Sequence, residues 1–287
     1  MKKYGKIIIA FMWLGLTMIM IVGATFAWFS ENRNVSADGM HVQAETASNL
    51  LIKSAANDSV YNYTATAKNT ATTTLSPAST TMTASTGLLA GGFFYADRAA
   101  ITYETGAATD GTVFTAVPAA NIAADAAVSS GKTYVSKNTF YITAVGDTTK
   151  KFANVYVSGV SVTLSDKTTA PAEEISKALR VGIVCGTNAY IFEPVSGATA
   201  SYKGVVAGGT GITSTLASTN ETITTVGTES PTIGFLNLGE EAGDEELTVY
   251  VYVWFEGQDA ACTSANSVNV EELYVKVSFQ CTDPVAK

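Results

Sequence analysis

The alternation of apolar and polar positions is sharpest near the C-terminus. From Thr248 to Phe255, Thr248, Tyr250, Tyr252 and Trp254 alternate with Val249, Val251, Val253 and Phe255. Both sets are bulky, so the pattern predicts a central strand covered on both faces. Leu273–Phe279 shows a cleaner two-residue period. Leu273, Val275, Val277 and Phe279 face in, with Tyr274, Lys276 and Ser278 facing out. Between Asn154 and Leu164 the period slips: Val155 and Val157 are followed, after Gly159, by Val160, Val162 and Leu164. A bulge at the glycine would keep all five on one face. Further extended runs are predicted at 39–44, 49–53, 134–144, 181–185 and 189–192, with a turn at Gly186-Thr-Asn188. One helical segment is predicted, Ala170–Arg180, with Pro171 and two acids at its start and Lys177 and Arg180 at its end.

Two stretches break the pattern. Residues 55–131 are dominated by Thr, Ala and Ser, as is the Gly/Thr/Ser-rich run 197–230. Such composition buries little surface and reads as loop or elaboration. Leu88–Tyr95 is the apolar exception and is expected to pack. Many strands, one short helix and turn-rich connections predict an all-β domain over residues 28–287, a jelly-roll-like antiparallel β-sandwich with Thr/Ala/Gly-rich elaborations.

The N-terminus has a different grammar. Lys2, Lys3 and Lys6 precede an apolar run from Ile7 to Phe29. This is the layout of an export leader, predicted as a hydrophobic helix. The run is long enough to leave two readings open: a signal peptide over residues 1–27, with either Ala27 (Thr25 at −3) or Ala24 (Val22 at −3) before the cut, or an uncleaved anchor. Either way the lysines stay inside and the body goes outside. The glycine and following glutamate of a type IV pilin leader are missing.

Composition narrows the roles. The chain is 47% hydrophobic and only 15% charged, with a formal net charge of −8. Without the three leader lysines, 14 basic residues face 25 acidic ones, near −11. That disfavours nucleic acid and anionic lipid as partners; the membrane is met only through the leader. Cys185, Cys262 and Cys281 form no CxxC pair. Cys262 and Cys281 flank the last strand and are the candidate disulfide, if the habitat is oxidising.

Candidate chemistry is sparse. His41 is the only histidine, which rules out a histidine triad or multi-histidine centre built by one chain. It reads as a surface or edge residue. Glu240, Glu241, Asp244 and Glu245 could offer oxygen ligands to calcium but lack the EF-hand pattern, and a solvated turn is the plainer reading. Glu256 and Asp259, in Trp254–Cys262, could mimic a glycosidase pair, but two acids on one turn better suit ordering the loop through backbone N–H groups. Tyr61, Tyr63, Tyr250 and Tyr252 could stack on sugars, though tyrosines in strands usually pack. No phosphate loop, nucleophile elbow or zinc-protease motif occurs, and no enzyme activity is expected.

One junction is specific. Gly23-Ala-Thr-Phe-Ala-Trp-Phe-Ser30, followed by Ala37-Asp-Gly-Met40 and a short strand, resembles the TasA/camelysin family of exported bacterial surface and biofilm-matrix proteins. The resemblance covers the leader junction and first strand, and elsewhere only β-rich architecture. It implies cleavage after Ala27 by a dedicated signal peptidase and an extracellular or cell-surface location. It also implies jelly-roll-like subunits that self-associate into fibres when an N-terminal segment completes a neighbour's sheet. Here that donor would be the segment holding Trp28, Phe29, Val35, Met40 and Val42. The long Thr/Ala-rich elaboration and the cysteines depart from the family pattern. The alternative is a monomeric, membrane-anchored adhesin or carbohydrate- or protein-binding module. A camelysin-like protease has family precedent but no recognisable catalytic set here.

Overall fold

The computed structural model describes residues 40–46, 49–67, 75–80, 92–96, 114–124, 133–164, 177–196, 202–208, 231–257, 259, 261–262 and 273–287. The leader, its junction and most of the predicted helix lie outside these residues. The described chain is all-β. Its strands are β1 (Met40–Thr46), β2 (Leu51–Lys53), β3 (Thr64–Thr66), β4 (Ser79–Thr80), β5 (Phe93–Ala96), β6 (Phe114–Ala116), β7 (Ile122–Ala124), β8 (Val135–Thr143), β9 (Lys150–Leu164) and β10 (Leu179–Cys185). β11 (Asn188–Ser196), β12 (Tyr202–Gly208), β13 (Thr232–Asn237), β14 (Glu246–Phe255), β15 (Leu273–Cys281) and β16 (Pro284–Ala286) follow.

One large, mostly antiparallel sheet runs β2-β8-β14-β10-β11-β9-β15-β1-β3, with β7, β12, β13 and β16 attached at its margins. Its ends meet. Ile52 and Asn62 exchange backbone hydrogen bonds of 2.7 and 3.0 Å, tying β2 to the approach of β3. The sheet therefore curls into a near-barrel, the strand twist having carried its two ends together.

The interior is aliphatic and aromatic, including Val42, Ile52, Phe140, Val155, Val157, Val160, Val162, Ile183, Phe192, Val251 and Phe279. The predicted bulge is present. Ser278 pairs with Gly159 but Phe279 with Val157, leaving Ser158 as the extra residue. Val155, Val157, Val160 and Val162 are all buried as a result. The β10–β11 hairpin turns at Gly186, whose φ of +57° suits a residue without Cβ.

β14 lies between β8 and β10 and is buried on both faces, as its double row of bulky residues predicts. Its inner face joins the interior, while Tyr252 and Trp254 join a second, outer cluster with Val135, Val184, Ala189, Ile191 and Phe93. That cluster is where the 55–131 region differs from a plain loop. β4, β5 and β6 form a separate three-stranded sheet, and Phe93 places its ring 5.1 Å from Trp254 and 5.9 Å from Tyr252. Tyr95 stacks on Tyr134 at 4.5 Å. The apolar Leu88–Tyr95 run thus packs through Phe93 and Tyr95.

The predicted helix is corrected at its end. Lys177 and Ala178 form a helical turn, but Leu179 and Arg180 already belong to β10. Arg180 is fully buried rather than serving a helix terminus.

Candidate functional site: the seat of the N-terminal strand and a buried charge layer

β1 sits between β15 and β3, parallel to β15 and antiparallel to β3, in the register Met40↔Leu273 through Thr46↔Phe279. Val42 and Ala44 point inward and are buried. The outward residues make cross-strand pairs. His41 stacks on Tyr274 with ring centres 4.7 Å apart. Glu45 accepts a 2.6 Å hydrogen bond from Ser278 Oγ and lies 3.2 Å from Lys276 Nζ. Thr46 Oγ1 donates to the Leu50 carbonyl at 2.7 Å, closing the short connection to β2. Of the residues expected to form a donor segment, Met40 and Val42 therefore lie within this chain's own sheet. Ala27, Trp28, Phe29 and Val35 lie outside the described residues.

The second constellation crosses the outer face of β14, β10 and β11. Arg180 pairs across the ladder with Trp254. Its Nη2 donates to Asp259 Oδ2 at 2.6 Å, and its Nη1 donates to the Leu179 carbonyl at 2.9 Å and also to that of Lys177. Glu193 stands 4.0 Å from Nη1. Trp254 Nε1 donates to Glu256 Oε2 at 3.2 Å. Arg180, Glu193 and Glu256 are fully buried and Asp259 nearly so. Charges are kept in such a place only when paired and hydrogen-bonded, because desolvation alone costs several kcal/mol per ion.

Asp259 also accepts the Ala261 N–H through Oδ1 at 2.8 Å, and its carbonyl accepts the Cys262 N–H at 3.0 Å. Asp259 thus orders the end of this loop through a backbone N–H, while Glu256 takes the Trp254 indole N–H. The elaboration adds to it: Ala78 N–H donates to the Phe255 carbonyl at 3.0 Å, and Gly257 N–H donates to the Ala78 carbonyl at 2.9 Å. Sequence reasoning missed Arg180 and Glu193. A signal was available, since the two are equidistant from the Gly186-Thr187 turn and so face each other in the hairpin.

The expected Cys262–Cys281 disulfide is absent; Cys185, Cys262 and Cys281 are all free thiols. Cys262 closes the loop after β14, bonded to Asp259, whereas Cys281 lies at the end of β15 away from Leu273, paired with Val155 of β9. Burial raises Cys185 and Cys281 to about 11, the latter helped by Asp283. Burial, with Glu256 and Asp259 nearby, pushes Cys262 up as well.

The acidic turn connects β13, which pairs with β9, to β14, which pairs with β8 and β10. Glu240, Glu241, Asp244 and Glu245 are exposed. Asp244 Oδ2 accepts the Glu241 N–H at 2.9 Å, and a Cβ at Gly239 would come within 2.7 Å of the Asp244 Cβ. Among the described residues, no group of three His, Cys, Asp or Glu gathers to hold a metal ion. Of the tyrosines, Tyr252 is buried. Tyr250 lies under Lys137 Nζ at 4.4 Å. Tyr61 meets Lys53 Nζ, 4.4 Å from its ring centre, and donates to Glu246. Only Tyr63 is widely exposed. Burial works against the Glu246 carboxylate, but its bonds from Lys53 and Tyr61 hold it below the usual carboxylate range.

Comparison with protein-family models, with curated proteins and with solved structures finds no match to this chain.

Proposed function

We propose that this chain is an exported, non-enzymatic structural subunit of an extracellular fibre or cell-surface matrix, built on a jelly-roll-like sandwich. Neighbouring copies associate by exchanging the N-terminal strand. A dedicated signal peptidase would release it from its leader. The observation that supports this most is the seat of β1. Among the described residues β1 pairs only with β15 and β3, and a short connection at 47–50 joins it to β2. A β1 from another copy could fill the same seat with every pair preserved, which makes strand exchange inexpensive. The use of the buried acids also supports a structural role: Glu256 and Asp259 are occupied by Trp254, Arg180 and loop N–H groups.

A second reading has its own observation. β1 lies in its own chain's sheet, as expected of a monomeric module held at the membrane by an uncleaved leader. A cysteine pair separates the two. In a chain with Cys185, Cys262 and Cys281 replaced by alanine, Gln43→Cys and Lys276→Cys face each other across β1 and β15. Oxidation should yield ladders of linked chains on a denaturing gel if β1 is exchanged. Only monomers with an internal bridge would reject exchange and favour the anchored module.

A further inference from the structure

Tyr95 and Tyr134 are the only stacked pair of tyrosines among the described residues. Their ring centres lie 4.5 Å apart, with 22° between the ring planes. That is the close end of the range for aromatic rings in contact. The two rings come from different parts of the molecule. Tyr95 stands on β5 of the three-stranded sheet, and Tyr134 directly precedes β8 of the barrel. Tyr134 is 8% exposed, and its N–H donates to the Asn121 carbonyl at 3.0 Å. Tyr95 is half-buried and packs at the margin of the outer cluster, as Val117 and Ile122 do. One ring is thus open to reagents in solution, and the other is held against it.

The join that these rings span has few parts. β4, β5 and β6 pair with one another rather than with the large sheet. The small sheet meets the barrel through the backbone bonds of Ala78 to Phe255 and Gly257, the Phe93 ring against Trp254, and this tyrosine stack. The cysteines do not reinforce it, since all three are free. Thiols reduce tyrosyl radicals, and here they lie elsewhere: Cys185 and Cys262 belong to the interior cluster and Cys281 packs on it, whereas the stack is on the outer face.

We infer that Tyr95 and Tyr134 are a modification site, where oxidation joins the small sheet to the barrel as dityrosine. The oxidant is hydrogen peroxide acting through a haem peroxidase. Each phenol gives up one electron and its phenolic proton. The resulting phenoxyl radicals carry their spin on oxygen and on the ring carbons ortho and para to it. Cβ blocks the para carbon, so the rings couple through one Cε carbon of each. Each coupled carbon then releases its hydrogen as a proton, and each phenolic oxygen takes a proton back. In sum one C–C bond replaces two C–H bonds, the pair loses two hydrogens, and peroxide becomes two waters. Stacking supplies the encounter that separate radicals must find by diffusion, so the bond forms within one chain. The inference is independent of whether copies of the chain associate.

The test treats the dilute full-length chain with hydrogen peroxide and a haem peroxidase. The monomer is expected to gain dityrosine fluorescence and to lose the mass of two hydrogens. Digestion should then yield a linked peptide containing Tyr95 and Tyr134. Tyr95→Phe and Tyr134→Phe retain the rings and should each abolish that peptide, whereas Tyr63→Phe, at an exposed tyrosine outside the pair, should leave it. Hydrogen exchange in β4–β6 should slow about tenfold on oxidation of the parent and not of Tyr95→Phe. An unlinked monomer, a link between other tyrosines, or the same product from Tyr95→Phe overturns the inference. A bond between Tyr95 and Tyr134 that leaves exchange in β4–β6 unchanged overturns the fastening of the small sheet.

Discussion

The two faces of β14 are buried by unlike means. Inward, Val249, Val251, Val253 and Phe255 join the apolar interior of a sheet closed on itself, packed on aliphatic and aromatic side chains. Outward, Tyr252, Trp254 and Glu256 lie beneath a pad of small strands, and the contact is aromatic and ionic. The inner face is buried wherever the barrel exists. The outer face is buried only when the 55–131 region docks and Arg180 holds the loop in place. The first kind of burial tolerates change of shape poorly, and the second tolerates loss of a charge partner poorly.

That contrast can be attacked at several points. The largest effects should come from Arg180→Ala and from the interior; Arg180→Ala removes the cation that pairs with Asp259 and faces Glu193 in a dry layer. A loss of about 3–5 kcal/mol in denaturant unfolding is expected, the range for breaking a buried ion pair. Equal stability would show the layer to be solvated. Phe279→Ala, in the interior, should cost at the upper part of about 3–5 kcal/mol, whereas Phe93→Ala should fall below that range because the pad can settle onto β14. Hydrogen exchange should then show opening confined to β4–β6 for Phe93→Ala and opening of the whole barrel for Phe279→Ala. Uniform opening in both would erase the distinction.

A smaller effect is expected from alkali. Cys185 and Cys281 are raised to about 11 from 9.0, so the folded chain holds protons that the unfolded chain releases. This stabilisation is complete below about pH 9 and is lost as pH rises toward 11. Replacing both thiols by alanine should flatten the fall in melting temperature over that window. The smallest effect should be at the surface clamp. Glu246→Gln should cost under about 1 kcal/mol. Because Glu246 is held below the ordinary carboxylate value of 4.5, its contribution is present above that pH and fades as pH falls below it. A variant whose acid titration matches the parent would remove the clamp from the account.

Much of the barrel is legible in the amino-acid sequence. The two-faced burial of β14, the inward row of β15 and the bulge at Gly159 are local consequences of residue size and a two-residue period. The loop-ordering role of Asp259 was also readable, because a short acid among small residues at a turn has backbone N–H groups within reach. Arg180 was misread because its charge suits a helix end as well as a buried pair, and only the hairpin distinguishes them. The Cys262–Cys281 pairing failed for a related reason: closeness along the chain at the ends of a strand is separation in space. The pad over β14 is legible only through Leu88–Tyr95, whose Phe93 and Tyr95 are expected to pack; the Thr/Ala-rich strands that pair around them carry no such signal.

The sequence by itself determined which residues are extended and which face of each strand is apolar. Both follow from side-chain size and the alternation of Cβ directions along a strand. Only the tertiary structure decided which strands are neighbours. Closure of the sheet through Ile52 and Asn62, the seat of β1 between β15 and β3, the buried layer around Arg180 and the stack of Tyr95 on Tyr134 all depend on contacts between residues far apart in the chain. Many pairings satisfy the same local pattern, and the selection among them is made by the packing and charge pairing of the assembled whole.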